Sequence, residues 1–219
     1  MTRSSLFFMG VLTATANLAH SYAQSTSVNN NPTYSAAIYV HEDPKLRLQK
    51  FENKINDLSD RTKRFVYLPE AAKAALEAGD NTKAEAYAIE GLRLADAKAE
   101  KYKRRYNKPR EGLGTGTADY YCNFVLGRLA ILRGDVRQAE RYLLLSGNTS
   151  GDPVLRSYGP NLSLALEILK KGDAASWKTV LVFLDETKGF WRIYPEVISS
   201  WEGDIRSGKL PDFKQQLYY

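Results

Sequence analysis

Hydrophobic residues recur along this chain at steps of three and four residues from Asp43 onward, the spacing of one face of an α-helix. Windows with the two-residue alternation of a half-buried β-strand are almost absent. The strong helix formers Ala, Leu, Glu, Lys and Arg dominate the same region. The pattern therefore predicts one all-α domain over residues 43–219.

The first predicted helix begins at Asp43-Pro44, because Asp is a favoured N-cap and Pro a favoured first helical residue. Its apolar positions continue at helical spacing through Leu46, Leu48, Phe51, Ile55, Leu58, Phe65 and Val66. Pro69 ends this helix or starts the next one. We therefore expect one long N-terminal helix.

A unit of helix, Gly-Asp turn and helix then occurs three times, with turns at Gly79-Asp80, Gly134-Asp135 and Gly172-Asp173. Glycine commonly ends a helix, and Asp commonly caps the next one. Small residues recur on these helices, where they allow two helices to approach closely. We predict that six of them pack helix against helix: Ala72, Ala84, Gly91, Gly127, Ala139 and Ala165.

These units resemble the repeat of the tetratricopeptide (TPR) family, which has a Gly-Asp turn and small residues on both helices. The resemblance extends from Pro69 to about Leu184, although Trp177 stands at a small-residue position of the third unit. The turns lie 55 and then 38 residues apart, whereas the family repeats every ~34 residues. The resemblance implies an irregular TPR-like α-solenoid of antiparallel helix hairpins.

The C-terminal block resembles the end of a group of exported bacterial TPR-like proteins. The resemblance lies in residues 147–161, in Phe190-Trp191 and in residues 208–213. It supports the predicted fold and export, and it implies no particular activity. After the third unit we expect a pair or trio of C-terminal helices that closes the array.

Residues 1–23 have the pattern of a secretory signal peptide. Arg3 precedes an apolar stretch, Leu6–Ala19, and small residues at Ser21 and Ala23 precede a cleavage site at Gln24. This stretch is shorter than the ~20 residues that a transmembrane helix needs. Residues 24–42 are polar and predict a flexible linker. We therefore expect an exported protein, periplasmic or secreted.

Histidine and cysteine content limits the chemistry of the predicted domain. The two histidines, His20 and His41, precede it, so no His is available as a catalytic base or as a zinc ligand. The single cysteine, Cys122, has apolar neighbours and is predicted to be buried. We therefore predict no catalytic residues, no metal and no cofactor.

A basic segment gives much of the formal net charge of +6, which becomes +5 without residues 1–23. Its cations are Lys101, Lys103, Arg104, Arg105, Lys108 and Arg110, interleaved with tyrosines. Such a segment can be a solvated helix end, where the helix dipole favours cations. It can also contact an anionic membrane surface or an acidic polysaccharide. Nucleic acid is a third possible partner, and predicted export argues against it.

A glycine-rich stretch, residues 112–117, resembles a phosphate-binding loop only superficially. No strand precedes it and no Gly-Lys-Ser/Thr follows it. We interpret it as an interhelix loop in which Thr117 or Asp119 caps the next helix.

Acidic residues and tryptophans near the C-terminus suggest a different class of function. Asp185-Glu186, Glu196 and Glu202 lie near Trp191 and Trp201 in the sequence. Glycan hydrolysis uses two carboxyl groups across a sugar, but no spacing here selects a pair. The alternative hypothesis is thus a helical enzyme or binding protein that acts on cell-wall or polysaccharide material.

The repeat pattern favours a non-enzymatic module that binds or scaffolds a protein or peptide. Repeat arrays present extended surfaces to such partners, and a few exposed aromatics carry most of the affinity. The candidate binding residues are Tyr87, Arg128, Tyr158, Asn161 and Trp191. Asn161 has a second interpretation, as the cap of its helix.

Overall fold

The computed structural model describes residues 42–106, 114–192 and 195–217. Their backbone forms nine α-helices, two 3-10 helices and no β-strand, which confirms the all-α prediction for this part of the chain. The α-helices are α1 (Pro44–Asn56), α2 (Leu68–Glu77), α3 (Asn81–Tyr106), α4 (Gly116–Leu132), α5 (Val136–Gly147), α6 (Pro153–Tyr158), α7 (Ser163–Lys171), α8 (Ala174–Thr187) and α9 (Pro195–Arg206). The 3-10 helices are Arg61–Val66 and Lys214–Leu217.

The prediction of one long N-terminal helix is wrong. Helix α1 ends at Asn56, and Arg61–Val66 forms a separate 3-10 helix. The Asp60 carboxylate starts the second element by accepting hydrogen bonds from the Thr62 backbone N–H at 2.9 Å and from its hydroxyl at 2.6 Å. Such side-chain bonds offer the backbone an alternative to a continuous helix.

The three predicted helix pairs form, as α2–α3, α4–α5 and α7–α8. In the first two turns Gly79 and Gly134 adopt φ angles of 80° and 79°, a conformation that glycine takes without steric cost. At each turn the following Asp accepts a hydrogen bond from a backbone N–H in the first turn of the next helix. Trp177 does not prevent α8: it is half-buried against the core, and its indole N–H donates to the Leu169 carbonyl of α7 at 3.0 Å.

Helix α4 lies at the centre of the fold. Its side chains are buried almost throughout, and it packs against α2, α3, α5, α6 and α7. A helix that is apolar all round is expected in the interior. Cys122 is fully buried on α4, as predicted, and burial raises the pKa of its thiol.

The six predicted packing residues are all buried. Two of them lie at the closest approaches to α4. A Cβ on Gly91 of α3 would lie 2.6 Å from Cys122 Sγ, and a Cβ on Gly127 of α4 would overlap Leu164 Cδ2 of α7. Glycine at these positions therefore lets α3 and α7 approach α4 more closely than any side chain would allow.

The C-terminal part differs in detail from the expected pair or trio of helices. In the described residues that follow α8, one α-helix, α9, and one 3-10 helix occur. A further short helix, α6, which was not predicted, precedes the third hairpin. Its start at Asp152-Pro153 has the same sequence signature as the start of α1 at Asp43-Pro44.

Replacing Gly127 by Ala is expected to destabilise the protein, although Ala favours helix over Gly. The new methyl group must displace Leu164, which is fully buried, and overpacking of a filled core costs about 1–3 kcal/mol. Gly203 is the matched control, because it is exposed within α9 and a Cβ there meets nothing within 4 Å. Gly203→Ala should stabilise the fold by about 0.5–1 kcal/mol. Urea denaturation measures both changes, and equal stabilisation by the two variants would contradict the close approach at Gly127.

Candidate interaction surface

Two aromatic side chains of α4 lie in a row between a cation of α2 and a cation of α4. Lys73 Nζ lies 4.1 Å from the ring centroid of Tyr121, and the Tyr121 and Phe124 centroids are 6.3 Å apart in an edge-to-face arrangement. The Arg128 guanidinium lies 5.9 Å from the Phe124 centroid. Both rings are buried, so the two cations cover them through cation–π contacts. We call these four residues the cation–aromatic row.

Arg128 extends the cation–aromatic row to α7. Its Nη1 donates to Ser163 Oγ at 2.8 Å, and its Nε lies 3.1 Å from Glu167 Oε2. The Arg128 and Glu167 side chains are each 30% exposed. The predicted binding residue Arg128 therefore lies at the surface, in a pair where a carboxylate from a partner can compete with Glu167.

Tyr87, which was predicted to bind a partner, holds α1 against α3 instead. Its hydroxyl donates to Glu52 Oε1 at 2.6 Å, and Lys83 Nζ lies 2.8 Å from the same oxygen. The hydrogen bonds from Lys83 and Tyr87 lower the pKa of Glu52, whereas burial and then the bond to Glu52 raise the pKa of Tyr87. The Tyr87 hydroxyl therefore already has a partner on α1.

Tyr158 and Val154 form an exposed apolar face on α6. They are four residues apart, and they are 60% and 48% exposed. The backbone beneath them is held in place. Gly159, at a φ of 79°, lies against Trp191, where a Cβ would come within 2.5 Å of Cε2, and Gln216 Nε2 donates to the Tyr158 carbonyl at 3.2 Å. Tyr158 is thus exposed on a helix whose end is well packed.

Asn161 and Trp191 are buried, at 7% and 3% exposure, which corrects the expectation that they are open to a partner. The Asn161 side chain accepts a hydrogen bond from the Ser163 backbone N–H at 2.9 Å, but the N-cap position of α7 is Leu162. Trp191 stacks on Trp201 with centroids 6.2 Å apart. Both side chains therefore lie in the interior of the fold, next to α6 and α7.

The residues of the polysaccharide alternative are largely used in packing. Trp201 is 6% exposed, and its indole N–H donates to the Asp212 carbonyl at 3.0 Å. Glu202 is buried beside Lys188 Nζ, at 2.6 Å, and Arg206 Nη1, at 3.4 Å. Glu196 is exposed at the start of α9. With Trp191 and Trp201 both buried, the exposed aromatic platform on which that alternative depends is missing from these residues.

The predicted basic segment is the end of α3. Lys101, Lys103, Arg104 and Arg105 are all exposed on this helix. Lys108 and Arg110 lie outside the described residues. The four described cations therefore share one helix end.

The start of α4 is capped by Asp152, which corrects the expectation that Thr117 or Asp119 caps it. Asp152 Oδ2 accepts from the Thr117 backbone N–H at 2.6 Å, and Oδ1 accepts from the N–H groups of Val154 and Leu155 at 3.1 Å each. One carboxylate thus joins the first turns of α4 and α6, where the helix dipole favours an anion. Residues 112 and 113 of the glycine-rich stretch lie outside the described residues.

The remaining observations concern metals, membranes and known proteins. Across residues 42–106, 114–192 and 195–217, no group of three or more His, Cys, Asp and Glu side chains is arranged to hold a metal ion. No helix in those ranges combines the length and apolarity needed to cross a bilayer. The predicted signal peptide, residues 1–23, lies outside them. No protein-family model, curated protein or solved structure matches the chain.

Removing the shared cap is expected to cost more than removing an ordinary one. Asp152→Ala should destabilise the protein by about 2–3 kcal/mol, because a single N-cap contributes ~1 kcal/mol and this carboxylate caps two helices. Asp135→Ala is the control, since Asp135 caps only α5, and it should cost about 1 kcal/mol. Thermal unfolding followed by circular dichroism compares them. Equal losses would mean that Asp152 does not join α4 to α6.

Glu186 is predicted to make stability depend on pH. Its Oε2 is buried against Gly147 with no hydrogen-bond partner among the described residues, and burial, with nearby Asp185, raises the pKa of this carboxyl. A raised pKa in the folded state means that the fold favours the protonated carboxyl. The cost of Glu186 to stability is therefore absent below the ordinary Glu pKa, grows as the pH rises above it, and is complete above the raised pKa. Glu186→Gln should therefore raise Tm at pH 8 and leave it unchanged at pH 4. The exposed Glu196 provides the control, Glu196→Gln, and an equal effect of the two variants at pH 8 would contradict the assignment.

Proposed function

We propose that this chain is a non-enzymatic module that binds or scaffolds a protein or peptide partner in the cell envelope or the secreted space. In this proposal it is built as an irregular TPR-like α-solenoid. The order of helix contacts supports the proposed architecture. Each hairpin packs on the next through the pairs α3–α4 and α5–α7, and the first helices of successive hairpins also meet, as α2–α4 and α4–α7. Nearest-neighbour stacking of this kind is typical of repeat arrays.

The third hairpin departs from a simple array. Helix α8 packs on α5 as well as on α7. A buried hydrogen bond lies at this contact, where Ser176 donates to Glu140. The exposed side chains of Arg137 and Asp173 form an ion pair beside it, 2.7 Å apart. In the proposed solenoid, α8 therefore covers the second hairpin as well as its own. The short helix α6 precedes α7 in the chain.

The exposed Tyr158 is the observation that carries the binding proposal. A large aromatic side chain that is 60% exposed on a well-packed helix is a suitable anchor, because interface hot spots are enriched in Tyr and Arg. Arg128 contacts Ser163, which lies five residues after Tyr158 in the sequence. An apolar anchor thus lies at the end of α6, and a partly exposed cation contacts the first residue of α7, a combination suited to a peptide with an apolar and an acidic residue.

Replacing Tyr158 by Ala is expected to reduce partner capture from an envelope extract by about tenfold or more, the usual effect of losing an aromatic hot spot. The control is Ile89→Ala, since Ile89 is 54% exposed on α3 and lies outside the proposed surface. Quantitative mass spectrometry of the captured proteins compares both variants with the wild type. Capture that depends on Tyr158 and tolerates Ile89→Ala supports the proposal. Unchanged capture by Tyr158→Ala, or no specific partner, contradicts it.

Incubation of the purified protein with peptidoglycan or acidic glycans separates the proposal from its alternative. The binding-module proposal predicts no turnover of these polymers. Turnover that disappears in Glu196→Gln or Glu202→Gln, with the fold retained, would favour the polysaccharide enzyme.

A further inference from the structure

The end of α3 carries a second exposed surface, distinct from the Tyr158 face. In α3 the last buried residue is Ala95, so its final eleven residues continue beyond the core. Residues 96–106 contain five cations and two acids. The helix thus ends as a basic extension whose side chains are mostly open to solvent.

The 3-10 helix at Arg61–Val66 adds cations that lie far from this extension in sequence. It packs against α3, and Lys98 Nζ lies 4.4 Å from the ring centroid of Phe65. Its Arg61 and Lys63 are exposed. Hydrogen bonds from Thr62, and to a smaller extent the charges of Lys63 and Lys101, lower the pKa of the Asp60 carboxyl, in keeping with the packing of the 3-10 helix against α3. We call the combined set the basic tip, and its residues are Arg61, Lys63, Lys101, Lys103, Arg104 and Arg105.

The cations of the basic tip are available to an external anion. None of the ion pairs among the described residues involves any of the six. Other exposed cations do form ion pairs, as Arg133 does with Glu85. Asp60, Asp96 and Glu100 lie in the same two segments, so these segments keep an excess of positive charge, and such an excess attracts anions.

Two tyrosines lie among these cations. The Tyr102 and Tyr106 rings are 4.7 Å apart, and Tyr106 is 51% exposed. Successive residues of an α-helix are rotated by about 100° around its axis. Tyr102 and Tyr106 therefore lie on one side of α3, with Lys101 and Arg105 on one flank of this side and Lys103 on the other. Tyrosine is enriched at the level of lipid headgroups, where its ring is partly apolar and its hydroxyl stays hydrated.

We propose that the basic tip docks this protein on an anionic lipid bilayer, with the tyrosines at headgroup level and the cations on lipid phosphates. The shape of the site favours a bilayer over a soluble polymer. The cations surround a single helix end, and a surface of many mobile headgroups can contact all of them, whereas an extended chain contacts only those on the side where it lies. Each Lys or Arg near such a surface adds to binding, and salt weakens the attraction.

Vesicle co-sedimentation tests the docking with the full chain. The site variant replaces Lys101, Lys103, Arg104 and Arg105 by Gln. The control variant replaces four exposed lysines elsewhere, Lys170, Lys171, Lys178 and Lys209, by Gln. Both variants have the same net charge and the same N-terminus, and Gln keeps the helix propensity of the original residues. Circular dichroism checks that both are folded.

The wild type and the control variant should bind vesicles of phosphatidylcholine mixed with phosphatidylglycerol at low salt. They should not bind pure phosphatidylcholine, and binding should fall steeply towards ~0.5 M salt. The site variant should bind the anionic vesicles at least about tenfold more weakly than the control. Tyr106→Ala should weaken the binding that persists at intermediate salt.

Three outcomes would overturn the proposal. The first is that the wild type fails to bind the anionic vesicles at low salt. The second is that the two four-residue variants lose binding equally, which would show an effect of net charge alone. The third is tight binding of soluble dextran sulfate without vesicle binding, which would assign the basic tip to an acidic polymer. None of these outcomes depends on Tyr158, so the proposed protein-binding function is tested separately.

Discussion

The close approach of neighbouring helices to α4 is the constraint on which the rest of the structure depends. Gly91 and Gly127 leave no room for a side chain at Cys122 and Leu164. Because α3 and α7 come so near, α4 is buried on nearly every side. The hairpins on either side of α4 are held by packing, while the loop that contains Asp152 fixes where α4 begins.

This interior directs binding to the outer parts of the fold. The tryptophans near the C-terminus are used in stacking beneath α6, and that stacking supports Tyr158 on an exposed face. The cations at the end of α3 lie beyond the last buried residue of that helix and so contribute little to the core. The proposed protein-binding surface and the proposed bilayer contact thus use residues that packing leaves exposed.

Local signals in the sequence predicted much of this fold, because helix caps, turn glycines and small residues act within a few positions. The Gly-Asp turns and the burial of Ala84 and Gly127 belong to this group. Contacts between distant residues could not be predicted. Nothing local links Asp152 to Thr117, or Glu52 to Tyr87, or Arg61 to the end of α3. The missed helix α6 is different, since Asp152-Pro153 signals its start and the spacing of Val154 and Tyr158 its face.

Amide hydrogen exchange under native conditions tests the central position of α4 most directly. Amides in the middle of α4, from Phe124 to Leu129, should exchange only through global unfolding, with a free energy equal to that from chemical denaturation. Amides of α1, which has only two buried side chains, should exchange through smaller local openings. Exchange in α4 as fast as in α1 would contradict a fold organised around close packing on α4.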